Sequence, residues 1–238
     1  MEHSWLRNNI GIMKVRCGGQ LILLTLMEKC ILNNIDVLSL NTDGLEIYIE
    51  NTKINLYLSL VKEVEQQFNV RFEREKYQKI VYSSVNDYVA ILENGNLKKK
   101  GMFVTDPELG NSVNFLIVPK LLERYFIYGI QPEHAILDSK YHIYDFCASQ
   151  KVDKSFSVEW SGKKQQRLNR YYVCKSGAYL YKCKGDTKHH MLKGWGVQLY
   201  NKHEEKEISQ HNIDYRYYLG EVRKIISTIE NHNQLKLF

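Results

Sequence analysis

VLSLNTDGLEIYIE, residues Val37 to Glu50, consists of two apolar runs joined by Asn41-Thr42-Asp43-Gly44. Asn, Asp and Gly at the junction are turn chemistry. The alternation of Leu45, Ile47 and Ile49 with Glu46, Tyr48 and Glu50 is the period of a strand with one covered face. The stretch is therefore read as a β-hairpin that carries one carboxylate, Asp43, at its tip. Asp is also an ordinary turn residue, because it tolerates unusual dihedrals and bonds its own backbone.

Upstream, Gln20 to Leu32 (QLILLTLMEKCIL) is apolar nearly all round, the pattern of a buried helix ended by Asn33-Asn34. Gly18-Gly19 are taken as a break before it, and no complete element is assigned to the first nineteen residues. Downstream, Ile54, Leu58, Val61, Val64 and Phe68 recur at helical spacing and predict an amphipathic helix over Thr52 to Phe68. The β-rich runs Val70 to Tyr77, Lys79 to Ser83, Asp87 to Glu93 and Leu97 to Val104 follow, with Asn94-Gly95 as a hairpin turn between the last two. Hairpin, helix and meander together predict an α+β layer with an antiparallel sheet.

Thr105 to Ser112 (TDPELGNS) has the composition of a linker, and Pro119 suits the start of a helix running to about Tyr128. Two short helical stretches are expected around Glu133 to Tyr144, then strands in SFSVEW, LNRYYVCK and AYLYKCK. Leu219, Val222, Ile226 and Ile229 place a last amphipathic helix over Ile213 to Ile229.

The chain has 238 residues and a net charge of +6. Between Ser139 and Lys202 thirteen Lys and Arg stand against four acidic residues, an excess of nine that exceeds the whole chain's. A basic, tyrosine-rich surface attracts a phosphate backbone, since each cation that neutralises a phosphate releases a condensed counterion. Arg167, Arg170, Tyr171 and Tyr172 lie close together in QQRLNRYYVCK, and Arg forks suit phosphate oxygens. Lys98, Lys99 and Lys100 serve equally as a phosphate contact or as protection of a sheet edge. No apolar run is counted as approaching about 18 residues, so neither a membrane span nor a signal core is read, and a cytoplasmic setting is expected. The five cysteines lack any C-x-x-C pair, which argues against a disulfide framework. Cys174, Cys183, His189 and His190 match no zinc spacing.

The order of these stretches resembles the C-terminal part of a family B DNA polymerase of the phage type. The resemblance runs from GGQLILLTLMEK through LSLNTDGLEIYIE, VNDYVAILENGNLKKKG, NFLIVPKLLERYF and QRLNRYYVCKSG to the tail. Asn41-Thr42-Asp43-Gly44 is similar to the palm motif D-T-D-S, whose second Asp binds catalytic metals and falls at Asp43; Asn41 and Gly44 are departures. Asn86-Asp87-Tyr88 is similar to the primer-contacting segment, without its lysine. The tail Gln234-Leu235-Lys236-Leu237-Phe238 resembles the peptide that docks on a sliding clamp, with Gln234, Leu235, Leu237 and Phe238 as anchors. The resemblance implies residues 1–106 as a partial palm, 107–233 as a thumb-like, DNA-gripping region and 234–238 as a clamp-binding peptide.

It further implies nucleotidyl transfer on primer-template DNA from deoxynucleoside triphosphates. Two Mg²⁺ ions about 3.5 to 4 Å apart serve such reactions, and Asp43 supplies half of the clamp that holds them. The second palm Asp and the fingers Lys are missing, so an N-terminal polymerase portion is expected as partner, and the chain is read as a split or truncated product, with no membrane partner. The rival is a non-catalytic DNA-binding and clamp-recruiting subunit in which Asp43 is a turn residue. A reverse-transcriptase-like palm fits the order of elements less well.

Overall fold

The computed structural model describes residues 9–106 and 114–234, and side chains up to residue 231. The chain is α+β, and every strand ladder among the described residues is antiparallel. It divides into two compact units, Met1–Lys76 and Tyr77–Phe238. The linker expected at Thr105 to Ser112 falls inside the second unit, and residues 107–113 lie outside the described part.

In the first unit, helix α1 (Asn9–Leu32) is followed by β1 (Asp36–Leu40), β2 (Leu45–Tyr48) and α2 (Ile54–Phe68). Helix α1 differs from the expectation twice. It starts at Asn9 and runs straight through Gly18-Gly19, because two glycines weaken a helix without ending one when the flanking residues favour it. It is also largely exposed: Leu23, Leu26 and Cys30 are buried, while Ile10, Val15, Leu21 and Leu32 face outward. The continuous helix joins IGIMKV to QLILLTLM and becomes, by length and composition, long and apolar enough to cross a membrane, contrary to the sequence-based count. Asn34 takes the left-handed conformation at φ 53°, and Ile35 N–H bonds Cys30 C=O at 3.0 Å, closing the helix end.

Helix α2 lies against α1 through Leu60, Val61 and Val64, which form a core with Leu26, Cys30 and Ile35. Val37, Leu45, Ile47 and Ile49 pack on that core, so the hairpin alternation holds as expected. A register shift between Val37 and Ser39 marks a bulge in β1. Lys29 and Glu63 tie the two helices at 2.7 Å. The run from Val70 to Lys76 forms no strand; Phe72 packs on the core, and its N–H is taken by the Glu65 carboxylate at 2.9 Å.

The second unit opens with a three-stranded meander, β3 (Tyr77–Ser84), β4 (Asp87–Leu92) and β5 (Leu97–Lys100). Gly95, at φ 81°, turns β4 into β5 as the Asn-Gly pair predicts. Helix α3 (Ile117–Tyr128) ends at Gly129 with φ 68°, and the short α4 (Pro132–Ala135) follows. Next come β6 (Cys147–Lys151), β7 (Ser157–Trp160), β8 (Lys163–Gln165), β9 (Leu168–Ala178), β10 (Leu180–Lys184), β11 (Thr187–His190) and β12 (Val197–Leu199). They form two sheets, β12-β9-β6 and β11-β10-β7-β8. Helix α5 (Tyr215–Gln234) closes the described chain and runs past Asn231-His232-Asn233, where it was expected to end.

Tyr218 fixes α5 to the sheet: its hydroxyl donates to Phe146 C=O at 2.8 Å and accepts Val173 N–H at 2.9 Å, with the side chain fully buried. Around it pack Leu121, Leu122, Phe126, Phe146, Val173, Val222 and Ile229. Near the end of β9, Gly177 approaches Gly196, just before β12. A Cβ on Gly196 would lie 2.2 Å from Gly177 O, and one on Gly177 2.5 Å from Val197 N.

Candidate nucleic-acid interface

The hairpin tip is built by Asn41. Its N–H bonds Gly44 C=O at 2.9 Å and its side-chain Oδ1 accepts Asp43 N–H at 3.0 Å, so the first Asx residue of the motif shapes the turn that presents the second. Asp43 is exposed, and among the described residues its carboxylate accepts a single long hydrogen bond, from Thr42 Oγ1 at 3.4 Å. A Cβ on Gly44 would sit 3.4 Å from Asn41 Oδ1, at van der Waals contact with the Asn41 amide.

Asp43 does not complete a metal site. Among the described residues no three His, Cys, Asp or Glu side chains gather where an ion could bind. One exposed carboxylate does not fit a two-metal centre on its own, and the set Cys174, Cys183, His189 and His190 is likewise not assembled.

The three lysines of β5 have different fates. This is an edge strand, paired on one side to β4. Lys99 points inward; its ammonium contacts Glu123 of α3 at 2.9 Å and the Thr105 hydroxyl, and serves the fold. Lys98 lies over the Tyr77 ring, 5.9 Å from its centroid, and Lys100 is exposed. Tyr88, expected at the primer, is buried on the central strand β4, where its ring packs on that of the cross-strand Tyr82, 5.8 Å between centroids.

The Arg167 to Tyr172 cluster separates by strand geometry. Arg167 and Arg170 are exposed. Tyr171 and Tyr172 are buried in different cores, the first with its hydroxyl on Gln150 Oε1 at 3.1 Å and the second beside His211. These rings are structural, and the arginines alone face solvent. Arg170 lies 5.2 Å from the Tyr144 ring centroid, and His203 stacks on that ring's plane at 12°. Tyr144 and His203 were not singled out in the sequence, because neither adjoins Arg170 along the chain. Of the clamp peptide, Gln234 is the last residue of α5, while Leu235, Leu237 and Phe238 lie outside the described residues.

No protein-family profile matches the chain, and no curated protein matches it. One solved structure similar to it is a family B DNA polymerase. That protein, from the hyperthermophilic archaeon Pyrobaculum calidifontis, aligns with 15% identity and a TM-score of 0.46, over 94% of this chain and 30% of the polymerase chain. The present chain thus spans under a third of that protein's length.

Proposed function

We propose that this chain is the C-terminal part of a DNA-directed DNA polymerase, with Asp43 contributing one carboxylate to a Mg²⁺-dependent nucleotidyl-transfer site. An N-terminal polymerase portion supplies the second carboxylate and the lysine for the incoming triphosphate. The observation that carries this reading is the tip of the hairpin. Asp43 is exposed and lightly bonded on a turn fixed by Asn41, while the strands behind it are anchored in a core, so the carboxylate is held out on a supported element. The order of motifs along the sequence supports it, and the exposed Arg167, Arg170 and Lys100 supply cations for primer-template phosphates. The tail tethers the assembly to a sliding clamp, raising the effective concentration of primer ends.

In a second reading, a non-catalytic DNA-binding and clamp-recruiting subunit, Asp43 is a turn residue, in keeping with the bond its N–H makes to Asn41 Oδ1. Primer extension with Mg²⁺ separates the two. The chain alone, the chain with an N-terminal polymerase portion, and that mixture carrying Asp43→Ala are compared. Synthesis in the unmutated mixture alone supports the polymerase; DNA binding without synthesis in any mixture supports the second reading.

A further inference from the structure

The sheet β11-β10-β7-β8 carries an aromatic and basic face that neither the hairpin nor the arginine cluster uses. Residues opposite one another in a ladder share a face. The registers therefore align His190, Tyr181, Glu159 and Lys164 in one row across the four strands, with Lys188 in the next row beside Cys183. Tyr179, between β9 and β10, completes the group: its ring centroid lies 4.9 Å from His190 and 6.3 Å from Tyr181, and Tyr181 lies 4.6 Å from His190. Tyr179 is 46% exposed, so its ring is open to solvent beside the other two.

The electrostatics favour an anion. On the face that holds Tyr181 and His190 the ladders place Lys164 and Lys188 against one acid, Glu159. That acid is occupied by Lys188 at 2.6 Å, so it does not repel an approaching phosphate strongly. On the opposite face Lys182 and Lys184 lie over the Phe156 ring, at 5.6 and 5.8 Å from its centroid.

We propose that this face binds single-stranded nucleic acid, with an unpaired base laid on Tyr179 and the flanking phosphates held by Lys164 and Lys188. Flat rings within a basic surface suit an unpaired strand, because each base offers a π-face to a ring while the backbone meets the cations. A duplex hides its base faces within the stack and presents phosphates and groove edges, for which exposed rings have no use. The inference rests on the proposed function for its setting, since a polymerase handles unpaired template, but the binding it predicts needs no catalysis.

The test is fluorescence anisotropy with the full chain, a labelled oligothymidylate and a duplex of equal length, without divalent metal, at two salt concentrations. Tyr179→Ala is expected to weaken oligothymidylate about tenfold, the size of one base–ring stack. Duplex affinity and the salt slope should be unchanged. Tyr179→Phe, which keeps the ring, is expected to bind as the parent, and Lys164→Gln to flatten the salt slope. Far-UV circular dichroism verifies that each variant is folded. Unchanged oligothymidylate affinity in Tyr179→Ala, or an equal loss for duplex, overturns the proposal. Asp43→Ala, assayed alongside, should bind oligothymidylate normally, so a failed polymerase reading and a failed stacking face give different results.

Discussion

Lys99 Nζ, on the edge strand β5, sits 2.9 Å from Glu123 Oε2 on helix α3, with both side chains about four-fifths covered. A lysine from a run of three, which by sequence suits phosphate contact, is thereby turned into a clasp between sheet and helix. Removing one partner leaves the other charge partly buried, so Lys99→Ala is expected to lower the unfolding free energy by about 2 kcal/mol, the range of a hydrogen bond to a charged group. Lys100→Ala, at an exposed site, should stay within about 0.5 kcal/mol. Urea denaturation of the two variants distinguishes them.

Gly101 takes φ 61°, and a Cβ there would come within 2.0 Å of Asp87 Oδ1 and 2.4 Å of Asn86 O. The Asp87 carboxylate is itself fixed, accepting Ser84 Oγ and Met102 N–H, and the Ser84 bond above all holds its pKa below the usual carboxylate range. Gly101→Ala therefore meets both strain and backbone. It should destabilise by more than Gly95→Ala, where the added methyl meets open space and the cost is that of left-handed backbone alone, about 1 kcal/mol. Thermal unfolding of the pair reads the difference.

His211 is buried, and burial above all pushes its pKa below that of a free imidazole. The unfolded chain then binds the proton more readily than the folded one, so stability falls as pH drops below about 6.5, the free imidazole value, towards the lowered folded pKa. Asp214 acts in a more acidic window. The Arg216 guanidinium, bound to it at 2.8 and 2.6 Å, lowers its pKa, so this contribution is present above the ordinary carboxylate range and is lost as pH falls below it. Denaturation midpoints between pH 7 and 5 should fall in the parent and fall less in His211→Gln.

The five cysteines carry no disulfide; Cys17 is exposed, while Cys30, Cys147, Cys174 and Cys183 are buried. Burial pushes the Cys147 thiol up to about 12, far from the reactive thiolate. Under native conditions a thiol reagent should modify Cys17 quickly and the other four only on unfolding, a sequence of events readable by mass spectrometry.

Asn41→Ala removes the acceptor that fixes Asp43 N–H and is expected to loosen the hairpin tip by about 1 kcal/mol, whereas Asp43→Ala should leave stability unchanged. Hydrogen exchange at residues 42–45 reports the first effect.

Periodicity made the hairpin, α2 and the β4–β5 turn legible, because each pattern coincides with local backbone chemistry. Helix α1 was misjudged since Gly18-Gly19 look like punctuation locally, while its flanks propagate one helix across them. The adjacent Tyr171 and Tyr172 could not be sorted by sequence, because each faces a different core, one on either side of β9. Of the site, Asp43 was plain as the acidic tip of a turn. Lys99's commitment to Glu123, and the gathering of Tyr179, Tyr181 and His190, depend on strand pairings between segments that show no mutual signal along the chain.

The approach of Gly177 to Gly196 carries a consequence for how this sequence can diverge. Each glycine occupies the space that a methyl on the other strand's backbone would need, so neither position can drift by single steps while β9 and β12 keep their spacing. A variant lineage that lost one of them would have to slide or reopen this strand pair, and with it the ladder joining Val173, Tyr172 and Tyr171 to Val197, Gln198 and Leu199. Two residues without side chains thus act on the history of the fold as a ratchet, passing only changes that leave both in place.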